Sequence, residues 1–260
     1  MAKKPILNLP RPKNSNTHLD PLHRVIIGGT GSGKTSLVKH GKFITAKAQA
    51  VFFDPYENYA GKPFQGQQVR GYHSKADFLK ALVKARQGQS AFKIAYIPAD
   101  LVFDELEFFS AAVWSVLDGR KAPLEICIEE LASCSPTAGT LKGKTGELLR
   151  GARQYGGIVT TVFQRGQEVP KTITTQSPTW YLCAVNSMND AKYLSDAKSV
   201  PVADIAALRS AKVNKLEINK PIADFIHVED GVGNYQKGAL NCQTGRKVAL
   251  SYRKNSKKSA

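Results

Sequence analysis

The chain has 260 residues, 42% of them hydrophobic, and a formal net charge of +16. That length leaves room for one large α/β domain or one domain with extensions, and the composition permits a real core. The positive charge favours an anionic partner, with nucleic acid as the first expectation and an anionic membrane surface as the second. A basic enzyme without such a partner is the alternative.

Three further classes are not expected. The four cysteines form no C-x-x-C pair and have no histidine at ligand spacing, which argues against a zinc site and fits a reducing, intracellular setting. The basic N-terminus is interrupted by Pro5 and Pro10 and does not make a signal peptide, so a secreted protein is not expected. The most apolar helical stretch, residues 101–117, contains three acids, so we expect no transmembrane segment.

The first half of the chain alternates strands with helices. Residues 1–22 are rich in Pro, Asn and Lys and predict an extended arm. A strand "RVIIGG", a glycine-rich turn, a helix "KTSLVKH" and a buried strand "AQAVFFDP" follow. Residues 56–73 indicate a loop with short elements. The stretch "SKADFLKALVKARQ" predicts an amphipathic helix with Ser74 as its N-cap.

The second half continues the alternation. We predict a strand "AFKIAYIP", a helix over 100–118, a strand "PLEICIEE", a loop "SCSPTAGTLKGKT", a helix "GELLRGARQYG" and the strands "GIVTTVFQ" and "PTWYLCAV". Residues 189–208 are helical and divided by Pro201; "DFIHVED" and "NYQKGALN" then predict a hairpin. The order predicts a parallel sheet covered on both faces. We divide the chain into an arm (1–22), one domain (23–245) and a basic, flexible tail (246–260).

A phosphate-binding motif is the firmest feature of the sequence. The segment "GGTGSGKT" satisfies G-x-x-x-x-G-K-[ST] between an apolar strand and a helix. Its glycines let backbone N–H groups surround a β-phosphate, the lysine supplies a cation, and the first hydroxyl after it is a ligand for Mg²⁺. The predicted ATP site comprises Gly28, Gly29, Thr30, Gly31, Ser32, Gly33, Lys34, Thr35 and Ser36, with Thr35 on the metal.

Two acids follow the apolar strand "LEICI". Hydrolysis requires a carboxylate near Mg²⁺ and a group that polarises water, and both are usually found at the end of a neighbouring strand. Glu129 is predicted to hold Mg²⁺ through water, and Glu130 to polarise the attacking water. A solvated strand end is the alternative. Asp54 is a weaker acidic candidate, because a structural turn at Asp54-Pro55 explains it equally well.

A polar residue ends another apolar strand, Ile158 to Phe163, at Gln164. In P-loop ATPases with a catalytic glutamate, an extra strand lies between the P-loop strand and the acid strand, and a polar residue at its end faces the γ-phosphate. An amide can donate to a phosphate oxygen and accept from water at once. Gln164 is therefore predicted to be catalytic, with a simple strand cap as the alternative.

These segments together resemble a known superfamily. The set "GGTGSGKT", "VFFDP", "ICIEE", "LLRGARQYG" and "TTVFQRGQEVPKTI" is similar to the FtsK–HerA superfamily of DNA-pumping ATPases. The closest likeness is to the genome-packaging ATPases of tailless, membrane-containing icosahedral viruses, especially bacteriophages. The likeness covers roughly residues 23–190, by motif order. Glu129 stands where the family usually has Asp, and the C-terminal part does not match.

The resemblance implies a fold and a function. The fold would be a P-loop NTPase of the RecA-like type with an additional strand and a catalytic glutamate. The function would be an ATPase that packages double-stranded DNA into a preformed capsid as a ring, expected to be a hexamer, in the virion and the host cytoplasm. Capsid or inner-membrane proteins would be its docking partners. A neighbouring subunit would supply an arginine to the γ-phosphate, with Arg153 as the first candidate and Arg150 as the second; such arginines are worth ~10³–10⁵ in rate.

We expect DNA contacts in the lysine-rich segments, because a motor that acts on DNA of any sequence contacts its phosphates. The candidates are Lys142 and Lys144 in "TLKGKTG", and Arg246 and Lys247 in the tail. Two rival functions stay open. One is a helicase-like or phage-assembly P-loop ATPase, and the other is a nucleotide-dependent DNA-binding virion protein with slow hydrolysis.

Overall fold

The computed structural model describes residues 9–135 and 137–252. The strands, numbered in chain order, are β1 (Arg24–Ile27), β2 (Gln49–Phe53), β3 (Pro63–Phe64), β4 (Gln67–Gln68), β5 (Arg70–Tyr72), β6 (Phe92–Tyr96), β7 (Leu124–Ile128), β8 (Gly157–Phe163), β9 (Thr179–Cys183), β10 (Ile222–Val228) and β11 (Tyr235–Asn241). The α-helices are α1 (Lys34–His40), α2 (Lys75–Gln87), α3 (Phe103–Ser115), α4 (Leu131–Cys134), α5 (Gly143–Gly151), α6 (Lys171–Gln176), α7 (Met188–Lys198), α8 (Val202–Ala206) and α9 (Ala211–Ile218).

One large sheet organises the chain. Its strand order is β11-β10-β9-β1-β8-β7-β2-β6-β5. Neighbouring strands from β5 to β9 are parallel, β10 is antiparallel to β9, and β11 is antiparallel to β10. The predicted mostly parallel sheet and late hairpin are confirmed. β8 lies between β1 and β7, with Ile27 beside Phe163 and Ile128 beside Thr161. The carboxyl ends of these three strands therefore meet at one edge.

Helices and loops cover both faces of the sheet. Side chains alternate along a strand, so Val25 and Ile27 of β1 enter one buried cluster and Ile26 enters the other. The first cluster includes Phe109 of α3, among the side chains of several helices. The second includes Leu37 of α1. Both layers are needed because a parallel sheet with two apolar faces must bury each of them.

Helix α3 is shorter than the predicted 100–118. The extended arm accounts for its early end, since the backbone N–H of Lys13 donates to the carbonyl of Leu117 at 3.0 Å and Lys13 forms a parallel bridge with Asp118. Further along the arm, the N–H of Asn16 donates to the carbonyl of Gln154 at 2.7 Å. The pairing draws residues 117–118 into an extended conformation. None of the described helices has the length and apolar character needed to cross a bilayer.

The C-terminal segment differs from the predicted flexible tail in its first seven residues. Lys247 pairs with Leu240 of β11, and the N–H of Val248 donates to the carbonyl of Ala239 at 2.9 Å. Residues 246–252 thus pack on the hairpin, because β11 is an edge strand with unpaired backbone groups. Residues 253–260 of the tail and 1–8 of the arm lie outside the described residues, and the division into arm, domain and tail stays a prediction. Helix α9 was not predicted from its weakly patterned sequence "AKVNKLEI".

Candidate nucleotide site

The P-loop connects β1 to α1 and is tied to both neighbouring strands. The N–H of Gly28 donates to the carbonyl of Phe163 at the end of β8 (3.2 Å), and the N–H of Gly29 donates to that of Ala184 just after β9 (2.8 Å). Gly33 has φ +100°, a conformation that favours glycine. The glycines of the sequence motif therefore suit the backbone conformation and hydrogen bonds of the loop.

The polar groups of the loop fit a bound triphosphate. The Lys34 amine donates to the carbonyls of Gly28 (2.7 Å) and Gly29 (3.0 Å), and burial lowers the pKa of Lys34. The Ser32 hydroxyl is buried without a hydrogen-bond partner in the described part of the chain. Thr35 and Ser36 form the first turn of α1, where N–H groups and a partial positive charge favour an anion. A half-buried amine and a buried hydroxyl on a glycine loop suit phosphate oxygens as partners.

The first acid, Glu129, is buried at the end of β7, with 3% of its surface exposed. The hydroxyl of Tyr59 donates to its carboxylate in a short hydrogen bond. Burial raises the pKa of Glu129 to about 7, a change that the Tyr59 hydrogen bond and the Lys34 charge oppose. A carboxylate and the Thr35 hydroxyl are both oxygen donors of the kind that Mg²⁺ prefers.

Asp54 positions the tyrosine rather than the nucleotide. Its carboxylate accepts N–H bonds from Asn58 (2.7 Å), Tyr59 (2.9 Å) and Ala60 (2.8 Å), which shapes the turn after β2. Of the two explanations left open for Asp54, the structural turn is therefore the one supported. The turn brings Tyr59 to Glu129, a contact across 70 residues of sequence for which the loop sequence contains no signal.

The second acid and the glutamine meet directly. The Gln164 amide donates to the Glu130 carboxylate at 2.8 Å, and the Thr30 hydroxyl donates to the Gln164 carbonyl at 3.3 Å. Glu130, the N-cap residue of α4, has a positive φ of 53°, a backbone conformation that is uncommon for residues other than glycine. The P-loop, β8 and β7 are thus linked by one chain of hydrogen bonds.

Arg153, the first candidate arginine, lies at the other end of β8 from Gln164. Arg153 precedes β8, and its guanidinium donates to the carbonyls of Thr17 (3.0 Å) and Leu19 (2.5 Å) of the arm. A seven-residue strand spans about 23 Å, so Arg153 cannot reach the phosphate site of its own chain. Arg150 donates to the carbonyl of Leu141 at 2.8 Å. Arg165, after β8, pairs with Asp190 at 3.7 Å.

The candidate DNA contacts occupy two separate segments. Lys142 and Lys144 are exposed at the start of α5, and the Lys144 amine pairs with Glu147 at 2.7 Å. Arg246 and Lys247 are exposed beside the end of β11. Neither pair is part of the hydrogen-bonded group around Gln164, and their role stays a prediction.

Fold and site together define a P-loop NTPase in which an additional strand, β8, separates the P-loop strand from the acid strand. No protein-family model matches the chain. The chain is 24% identical over 192 residues to protein P9 of Pseudoalteromonas phage PM2, covering 74% of this chain and 82% of that protein.

Two solved structures are similar in fold. The genome packaging NTPase B204 from Sulfolobus turreted icosahedral virus 2, in complex with AMPPCP, has a TM-score of 0.62 at 14% identity, covering 84% of this chain and 97% of that chain. The plasmid coupling protein TrwB, in complex with ADP and Mg²⁺, has a TM-score of 0.53 at 12% identity, covering 88% of this chain and 87% of that chain. These likenesses confirm the expected P-loop NTPase fold with a mostly parallel central sheet.

Proposed function

We propose that the chain is an ATPase that uses Mg²⁺ and ATP to move double-stranded DNA into a viral capsid. The observation that carries the proposal is the hydrogen-bonded chain from Thr30 through Gln164 to Glu130, because it connects the phosphate loop to the water-activating acid. A sensor of this kind couples hydrolysis to movement in motors. The likeness to a genome packaging NTPase and to a plasmid coupling protein supports the choice of DNA as the substrate.

The residues divide the chemistry among them. Lys34 and the loop N–H groups bind the triphosphate, and Thr35 and Glu129 would hold Mg²⁺, which neutralises charge on the β- and γ-phosphates. Glu130 accepts the proton of the attacking water, and Gln164 orients that water and detects the terminal phosphate. The Tyr59 hydroxyl keeps the Glu129 carboxylate in place.

We propose that the protein acts as a ring, expected to be a hexamer, in which the nucleotide lies between subunits. Arg153 lies too far from its own loop, so we infer that it acts on the nucleotide of a neighbouring subunit. Arg153→Ala should then reduce the ATPase rate of the assembled protein and leave ATP affinity nearly unchanged. Arg120→Ala is a control for the loss of one positive charge elsewhere. An Arg153→Ala protein with normal turnover would exclude this role and leave Arg150 as the candidate.

The deciding experiment is the ATPase rate with and without duplex DNA. A packaging motor should hydrolyse ATP faster when DNA is present and should move along intact duplex, whereas a helicase separates a forked duplex. A DNA-binding virion protein with incidental hydrolysis would show no stimulation. Lys34→Ala, which removes the phosphate-binding amine, should abolish nucleotide binding in every assay.

Binding to DNA should depend steeply on salt. The charge of +16 supports contacts to phosphates, for which the logarithm of affinity falls with the logarithm of salt concentration by about 0.9 per phosphate neutralised. Replacing Lys142 and Lys144 together should reduce that slope, and replacing Arg246 and Lys247 together tests the second segment. Affinity that does not change between low and moderate salt would contradict DNA as the substrate.

Capsid or inner-membrane proteins are proposed as docking partners in the virion and the host cytoplasm.

A further inference from the structure

The C-terminal part of the chain supports the second half of the P-loop. The N–H of Lys212, in the first turn of α9, donates to the carbonyl of Gly31 at 3.3 Å. A Cβ placed on Gly33 would lie 2.4 Å from the Cβ of Ala223 in β10 and 3.3 Å from the sulfur of Cys242 after β11. The phosphate loop is therefore packed against α9 and the C-terminal hairpin so closely that any side chain at position 33 would clash with Ala223.

A buried polar cluster joins α9 to β10 immediately behind this contact. Asn214 of α9 and Asp224 of β10 are both fully buried. The hydroxyl of Tyr252 lies between them; it donates to an Asp224 carboxylate oxygen at 2.7 Å and accepts from the Asn214 amide at 2.9 Å. One hydroxyl, from the last residue that the structure describes, thus links the helix to the strand.

The remaining atoms of the cluster fix its geometry. The N–H of Arg209 donates to the other Asp224 oxygen at 2.9 Å, and the Arg209 side chain donates to the Asn214 carbonyl at 2.7 Å. The Asn214 amide also donates to the carbonyl of Ile222 at 2.7 Å. Buried polar networks of this kind specify one arrangement of the elements that carry them.

We propose that Tyr252 is a positioning residue for the nucleotide. By holding α9 and β10 together, it keeps Lys212 and Ala223 against Gly31 and Gly33 and so preserves the shape of the phosphate loop. The inference rests on the proposed nucleotide-binding function. Residues 246–252 would then be part of the ATPase domain and would act on binding, not on the chemical step.

The position of the cluster predicts which kinetic constant changes. β9 and β10 lie on one side of β1, whereas Glu129, Glu130 and Gln164 lie on the other, at the ends of β7 and β8. Tyr252→Phe loses both hydrogen bonds of the hydroxyl, and because only part of that loss acts on the phosphate loop, it should raise the KM for ATP and the Kd for ADP by about fivefold. It should leave kcat within about twofold of wild type.

Tyr235→Phe is the matched control. Tyr235 lies at the far end of the same hairpin and donates to the partly exposed carboxylate of Asp204 at 2.8 Å, so the same atom and one hydrogen bond are lost away from the P-loop. ADP and ATP binding would be measured by calorimetry on the full chain, beside thermal unfolding of each variant. We expect a larger fall in Tm for Tyr252→Phe, which leaves two buried partners without its hydroxyl, and, at a temperature well below both Tm values, weakened nucleotide binding only for Tyr252→Phe.

Two results would overturn the inference. Unchanged ADP affinity in Tyr252→Phe would show that the hydroxyl does not position the loop, and equal weakening in Tyr235→Phe would show a general effect of lost stability. These results differ from those expected if the proposed function itself is wrong. In that case the wild-type chain would not bind ADP, and Lys34→Ala would have no effect on binding.

Discussion

The amide of Gln164 donates to the carboxylate of Glu130 across 2.8 Å, joining the ends of two adjacent parallel strands. The same glutamine accepts a hydrogen bond from Thr30 in the P-loop. Both contacts involve one side chain, so the P-loop and the acid are connected through Gln164 alone in this hydrogen-bonded chain.

Gln164→Ala should uncouple the hydrolysis of ATP from the presence of DNA. The variant loses the connection between the P-loop and Glu130, but keeps Lys34 and the loop N–H groups that bind phosphate. We expect ATP affinity within about threefold of wild type and loss of most of the stimulation by DNA. Gln167→Ala, in the exposed turn that follows, is the control. Normal coupling in Gln164→Ala would indicate that the glutamine only caps its strand.

The two acids should respond differently to loss of charge. Glu130→Gln should retain ATP binding and lose turnover by at least about 100-fold, because an amide cannot accept the proton from water. Glu129→Gln should chiefly weaken Mg²⁺ binding and so raise the Mg²⁺ concentration that hydrolysis requires. Single-turnover hydrolysis and a Mg²⁺ titration measure the two effects. Normal turnover in Glu130→Gln with an inactive Glu129→Gln would reverse the assignment.

Tyr59→Phe tests the positioning of the first acid. The fully buried ring stays in place, and only the hydroxyl that holds Glu129 is removed. We expect the Mg²⁺ concentration for half-maximal ATPase to rise about fivefold, roughly the value of one net hydrogen bond. Tyr56→Phe, three residues earlier and 58% exposed, is the control. An unchanged Mg²⁺ requirement in Tyr59→Phe would remove Tyr59 from the site.

A buried histidine should make stability fall in mild acid. His23 is 4% exposed, and its Nδ1 accepts the N–H of Val159 at 3.2 Å. Burial lowers the pKa of His23 from 6.5 to about 4, so the unfolded chain binds more protons between these values. The contribution of His23 to the free energy of unfolding is therefore fully present above pH 6.5 and is lost as the pH falls toward 4, by about 3 kcal/mol.

His23→Asn should remove that pH dependence, because the amide oxygen can accept the same N–H and does not titrate. Urea unfolding at pH 7 and pH 4.5 measures the free energy of unfolding of both proteins. The exposed His18→Asn serves as the control and should behave like wild type. If wild type and His23→Asn lose equal stability between these two pH values, another group carries the effect.

The sequence was sufficient wherever the chemistry depends on neighbouring residues in the chain. The P-loop, the acids after β7 and the glutamine after β8 each end or begin one element, so a short motif and its apolar strand identify them. Parallel strands bring their carboxyl ends to one edge, which is why Glu130 and Gln164, 34 residues apart, were correctly expected at the same site. The place of β8 between the P-loop strand and the acid strand was likewise expected, from a feature of P-loop ATPases with a catalytic glutamate.

Only the tertiary structure decided which distant groups hold that site in place. Tyr59 reaches Glu129 across 70 residues and Tyr252 reaches Asn214 across 38, through loops and a C-terminal segment that carry no periodic pattern. The distance of Arg153 from its own phosphate loop likewise follows from the direction of β8 in the sheet. Local patterns determine the elements and the residues at their ends, whereas contacts between elements depend on how the chain packs, and packing is not encoded in any one segment.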